Sequence, residues 1–331
     1  MPDLPWPAGA ATGIGSLPGT DVAEAQRIVL GELPALPHLP ELPERGPGAD
    51  MIGRGAGFLV ELPVQLYAGR WQIAARPGRD LRRTADLLER DLDQLTEQAD
   101  GFTGAVKIQA AGPWTLAASV DLPIGGRLLR DPGAVRDLTD SLAEGLRRHV
   151  ADVRKRVPGA TVLLQLDEPS LPSVLAGRVP TESGLGAYRA VDGPDAAARL
   201  RTVVAAVDTP TVLHCCAPDV PWQVIRDASF AAAAFDLSLL KDLDPVGEAI
   251  EAGLGLLVGA APTRPVAERR PDAKQIAERV QTLWRRLGFP AARLPRQVVI
   301  TPACGLAGAP QPYVRALLKA CHEAGRRISE V

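Results

Sequence analysis

The sequence predicts an α/β fold, a single (β/α)8 barrel spanning residues 1–331. Three observations carry this expectation. Short apolar runs alternate with longer helical patterns along most of the chain, which implies a parallel sheet. Eight such runs can be read, enough to close a barrel. Polar residues fall repeatedly at the C-terminal ends of the runs, where a barrel carries its site.

The expected strands are Ala11–Gly15, Phe58–Glu61, Val106–Ala110, Val162–Asp167, Val212–Cys215, Ala232–Asp236, Gly255–Gly259 and Val298–Thr301. The helical patterns include Arg79–Gln98, Pro132–Val157, Pro194–Val207, Pro245–Ala252, Ala273–Leu287 and Pro312–Ala324. Several open on proline, whose missing N–H costs nothing in the first turn. Gly31–Gly57 interrupts the alternation after the first β/α unit. Its prolines and glycines (Pro34, Pro37, Pro40, Pro43, Gly46, Pro47, Gly48) predict an ordered, non-helical excursion. A doubly wound sheet is the competing architecture. It wants a glycine-rich phosphate loop, which Gly13-Ile14-Gly15-Ser16 does not complete.

Composition narrows the function. An apolar content of 46% supports a sizeable core. The net charge of −2, with acids and bases mixed, gives no nucleic-acid footprint. No apolar stretch approaches the roughly 20 residues of a membrane span. Met1-Pro2-Asp3-Leu4-Pro5 lacks the basic and apolar regions of a signal peptide. Four cysteines do not make a disulfide framework. The expectation is a cytoplasmic protein with free thiols that binds neither nucleic acid nor membrane.

His214 and Cys216 close the run Thr211-Val212-Leu213, and Cys304 closes another. Strand side chains alternate, so positions 214 and 216 share a face. Imidazole with two thiolates is a set that zinc prefers, and three protein ligands leave one position open, as in catalytic sites. The competing reading is that these cysteines are small core residues. Cys215 faces the other way and Cys321 lies on a helix, so both read as structural. Asp167 ends an apolar strand and needs a partner, which a substrate ammonium, a metal, a helix cap or a rim salt bridge would each supply. Ser16 reads equally as turn chemistry or as a site residue. Asp236 reads as a metal ligand, a support to one, or a cap.

Five motifs together resemble the C-terminal catalytic domain of cobalamin-independent methionine synthase. They are Ile14-Gly15-Ser16-Leu17-Pro18, Gly112-Pro113-Trp114-Thr115, Gln165-Leu166-Asp167-Glu168-Pro169, His214-Cys215-Cys216 and Pro302-Ala303-Cys304-Gly305-Leu306. The resemblance implies a TIM barrel that moves a methyl group from a folate to homocysteine with the help of zinc. It implies zinc on His214, Cys216 and Cys304, with Asp236 near the place of the family's fourth, glutamate ligand. It further implies Asp167 on the amino group of homocysteine and Ser16 on its carboxylate. Glu61, in Val60-Glu61-Leu62-Pro63, matches a second acid on that ammonium.

The departures lie on the donor side. Ala260 stands where the family has a histidine that relays a proton to the folate. The family's folate-contacting tryptophan is replaced near Ser119, and the likeness is to the catalytic half alone. A folate amine leaves poorly unless protonated, whereas a methylcobalt bond needs no proton. The expected donor is therefore methylcobalamin or a methylated corrinoid protein rather than methyltetrahydrofolate. Two other readings stand beside this one. One is a metal-free barrel like uroporphyrinogen decarboxylase. The other is a non-catalytic zinc- or thiol-binding protein.

Overall fold

The computed structural model describes residues 4–265 and 270–330. Among the strands a hairpin comes first, with β1 (Val64–Tyr67) antiparallel to β2 (Arg70–Ile73). A curled parallel sheet follows in the order β3 (Ala105–Ala111), β4 (Thr161–Asp167), β5 (Thr211–Cys215), β6 (Ala232–Asp236), β7 (Gly255–Ala261) and β8 (Val298–Pro302). Each strand pairs with the next in sequence, as helical crossovers between parallel strands dictate. These six coincide with six of the expected runs.

The first and second expected strands differ. Around Ala11 the chain makes an isolated parallel bridge to Ile300, with Thr12 N–H donating to Ile300 O at 3.0 Å. The partner on the other side is not Phe58–Glu61 but the proline-rich stretch near His38. Lys107 N–H donates to Pro37 O and Leu39 N–H to Lys107 O, each at 2.9 Å. Leu17 and Glu41 join the two stretches through Leu17 N–H to Glu41 O at 2.9 Å. Two irregular segments thus bridge β8 and β3. Phe58–Glu61 is turn and bend, with Glu61 at φ 58°. Its apolar character serves packing: the Phe58 ring lies 4.6 Å from that of His149 on the helix Pro132–Arg156. The excursion is not wholly non-helical either, since Met51–Gly57 forms a helix capped by Asp50.

The helices follow local rules. Asp131 accepts from Gly133 N–H and Ala134 N–H to start Pro132–Arg156, and Pro132 occupies the first turn. Val135, Leu138, Leu142, Leu146, Val150 and Val153 form its buried stripe, at helical spacing. Asp272 caps Ala273–Leu287, and Gly288 ends it at φ 77°, a left-handed position that favours glycine. No helix among the described residues is long and apolar enough to cross a membrane.

Alternation along the strands sorts the core. One apolar cluster packs the sheet against its helices. A smaller one, including Ala105, Leu163, Val212, Ala232, Leu257 and Val299, packs separately. These residues share strand parity with Lys107, Gln109, Gln165, Asp167 and His214, so one face runs from an apolar floor to a polar top.

Candidate metal centre and amino-acid site

The polar top gathers at the C-terminal ends of β4, β5 and β8. Asp167 and His214 are register partners on adjacent strands, which puts Asp167 Oδ1 2.6 Å from His214 Nδ1. A carboxylate accepts, so Nδ1 carries the proton and the ring turns Nε2 away from Asp167. That Nε2 is buried with no hydrogen-bond partner among the described residues. Cys216 Sγ and Cys304 Sγ lie 2.8 Å apart. Ligand atoms of His214, Cys216 and Cys304 all fall within 4.8 Å of one another.

A buried imidazole nitrogen without a partner costs free energy, and two adjacent thiols do not supply a good one. The donor set and its compactness fit a zinc ion, with Asp167 supporting the histidine from behind. Burial works against the His214 imidazolium, but Asp167 and the Cys304 sulfur outweigh it and raise the pKa to about 9. Contact with Cys216 and the nearby imidazole holds the Cys304 thiol below the usual thiol range despite burial. The same contact pushes Cys216 up. Cys215 and Cys321 behave as core residues, buried and pushed up to about 12 by desolvation.

Beside this cluster is a cavity of about 350 Å³ whose wall includes Ser16, Glu41, Met51 and Asp167 as well as the three donors. The excursion therefore forms one side of the site. Glu41 was not visible as a site residue in the sequence. It is buried, and burial raises its pKa while Arg54, 3.3 Å away, lowers it. Arg54 and Arg45 share the buried carboxylate of Asp91, which fixes Arg54 behind Glu41. The acid expected in this role, Glu61, lies exposed in its turn and outside the cavity wall. Its left-handed φ marks a turn, not a strand end.

Asp236 is also placed elsewhere. Its Oδ1 accepts from Ser238 N–H at 2.8 Å and Ser238 Oγ–H at 2.7 Å, capping the turn after β6. It stands outside the donor cluster, so the cap is the role its contacts support. The remaining motifs are explained by one carboxylate. Glu168 accepts from Trp114 N–H at 2.9 Å, and from Thr115 N–H and Thr115 Oγ–H at 2.7 Å each. Burial still raises it to about 7. Gly112 makes room, since a Cβ there would stand 2.3 Å from Glu168 Oε1. The Asp-Glu-Pro and Gly-Pro-Trp-Thr motifs are thus two halves of one contact.

Fold and site define a class: an α/β protein with a curled parallel sheet and a His–Cys–Cys constellation at the carboxyl ends of its strands. The chain belongs to the cobalamin-independent synthase family, whose catalytic-domain model matches residues 9–327. Membership places it with methionine-synthase-type methyltransferases. No curated protein matches it in sequence. Among solved structures it is similar to a B12-independent methionine synthase from Shewanella sp. W3-18-1 in complex with selenomethionine, at 11% identity and a TM-score of 0.58, covering 98% of each chain. It also matches the beta-methylaspartase of Clostridium tetanomorphum as a Mg complex, at 10% identity and a TM-score of 0.44, over 97% of this chain and 58% of that one.

Proposed function

We propose that this chain is a zinc-dependent S-methyltransferase that makes methionine from homocysteine. One observation carries the reading: the unpartnered His214 Nε2 faces two thiols at the edge of a cavity that also holds two acids and a serine. Zinc on His214, Cys216 and Cys304 would supply the Lewis acidity that turns a bound thiol into a thiolate at neutral pH. The chain's own residues bind and orient the amino acid. Asp167 Oδ1 is taken by His214 and Gln165, which leaves Oδ2 for an ammonium, with Glu41 as the second acid. Ser16 is the contact for the substrate carboxylate. A porphyrin decarboxylase fits less well, because a thiol pair against an acidic wall suits a cationic thiol better than a polyanion.

The same reading treats residues 1–331 as one (β/α)8 barrel, with the segments near Ala11 and His38 as its two irregular strands. Their backbone bonds to β8 and β3 support this. A reducing, cytoplasmic setting suits the free thiols.

Two observations pull the methyl donor in opposite directions. The family is described as cobalamin-independent, which counts against the corrinoid expected from sequence. Ala260 in β7 has no proton to give and its carbonyl accepts from Arg279 at 2.7 Å, which counts against a folate. The test is methionine formation by zinc-loaded protein from homocysteine with methyltetrahydrofolate, methylcobalamin or a methylated corrinoid protein. Zinc-dependent product with any of these supports methyl transfer. Tight zinc with no product from any donor favours a zinc- or thiol-binding protein instead.

A further inference from the structure

Gln165 lies on β4 two residues before Asp167 and is fully buried. Its side-chain amide nitrogen donates to Ile14 O at 2.9 Å and to Asp167 Oδ1 at 2.7 Å. Both partners only accept, so the amide has one orientation. Lys107 on β3 donates to the same Ile14 carbonyl at 2.8 Å. Ile14 leads into Gly15-Ser16, a segment held to its neighbours by isolated bridges rather than a full ladder. Backbone bonds from Glu41 N–H to Gly15 O at 3.1 Å and from Leu306 N–H to Ser16 O at 2.8 Å hold the far end of that segment, and the side chains reaching across from β3 and β4 fix its near end at Ile14.

We infer that Gln165 is a positioning residue that couples the two ends of the amino-acid site. Through the Ile14 carbonyl it sets Ser16, the contact for the carboxylate. Through Oδ1 it turns Asp167 so that Oδ2 meets the ammonium. An α-amino acid carries both groups on one carbon, so its two contacts must hold a fixed separation, and Gln165 spans them. The thiol end keeps anchors that Gln165 does not touch, because His214 holds Asp167 Oδ1 by its own bond and the two sulfurs belong to Cys216 and Cys304 on other segments. This inference rests on the homocysteine reading and names a residue that acts within it.

The experiment is calorimetric titration of zinc-loaded wild type and Gln165→Met with homocysteine and with 1-propanethiol, which offers the thiol alone. In the variant, homocysteine affinity should fall roughly tenfold or more while propanethiol affinity stays within about twofold. Equal loss for both thiols would mark a general structural role and overturn the inference. Unchanged homocysteine affinity would overturn it too. If Gln165→Met does not fold, Gln165→Asn gives the same comparison, because its shorter amide cannot reach both acceptors. Wild type that binds homocysteine no better than propanethiol would instead remove the amino-acid site itself, and with it the proposed function.

Discussion

Asp167 Oδ1 lies 2.6 Å from His214 Nδ1, and this contact decides which ring nitrogen faces Cys216 and Cys304. Asp167 therefore serves the metal site and the amino-acid site together. The family resemblance implied only its contact with the amino group of homocysteine. The geometry predicts more. Asp167→Ala should lower zinc affinity by about 10–100-fold, the usual effect of removing a carboxylate behind a ligating histidine. Competition against a chelator measures it, and wild-type zinc affinity in the variant would contradict the shared role.

Glu41→Gln should weaken homocysteine binding while zinc stays in place. A hydrogen bond to a charged group is worth about 1.5–3 kcal/mol. Arg54, which faces Glu41 from behind, keeps its second partner in Asp91, so the variant should fold. Glu61→Gln, on an exposed turn, should leave homocysteine affinity unchanged. Equal effects from the two substitutions, measured by calorimetry, would contradict the assignment of Glu41.

The six strands from β3 to β8 were legible because they are buried on both faces and read as near-continuous apolar runs. Of the two bridging segments, Ala11–Gly15 was read as a strand and makes only isolated bridges, while the stretch near His38 was not read at all. Pro34, Pro37, Pro40 and Pro43 suppress any strand pattern, yet the bonds to β3 use the Pro37 carbonyl and the Leu39 N–H, neither of which needs a proline donor. Glu41 was hidden with them, while Phe58-Leu59-Val60 imitated a strand although it packs on a helix. His214, Cys216, Cys304, Asp167 and Ser16 stand in the sequence at the ends of apolar runs, and the structure brings them to one cavity. Gln165 had a readable signal, its shared parity with Asp167. Asp236 had the same placement at a strand end, but Ser238 two residues on offered it a local cap.

Gly305 touches Ser16 in a way that separates function from stability. A Cβ at Gly305 would stand 2.2 Å from Ser16 Oγ, an atom that can rotate away. Gly305→Ala should therefore cost less stability than the ~1–3 kcal/mol of overpacking a rigid core. It should still lower homocysteine affinity by displacing the hydroxyl. Adding Ser16→Ala to Gly305→Ala should lower affinity little further, because both remove one contact. Fully additive losses would show that Gly305→Ala does not act through Ser16, and no loss from Ser16→Ala alone would argue that Ser16 does not meet the substrate.

Lys107 gives a pH signature. It is fully buried, and desolvation holds its ammonium down to about 8 against the pull of Asp167 and Glu41. The unfolded chain keeps the ordinary lysine value of 10.5. Between those values the unfolded state binds the extra proton, so this group makes stability rise with pH there. Lys107→Met should lose that rising component between about pH 8 and 10.5. Melting temperatures of wild type and variant across that range test it, and parallel curves would contradict a buried, titrating lysine.

The central claim is that His214, Cys216 and Cys304 hold one zinc ion. The most direct measurement is elemental analysis of protein reconstituted with zinc under reducing conditions and then desalted, for the wild type and Cys304→Ser. The expected result is close to one zinc per wild-type chain, with the variant losing most of it because serine is a far poorer zinc ligand than a thiolate. A wild type that retains no zinc, or a Cys304→Ser variant that retains all of it, would contradict the account.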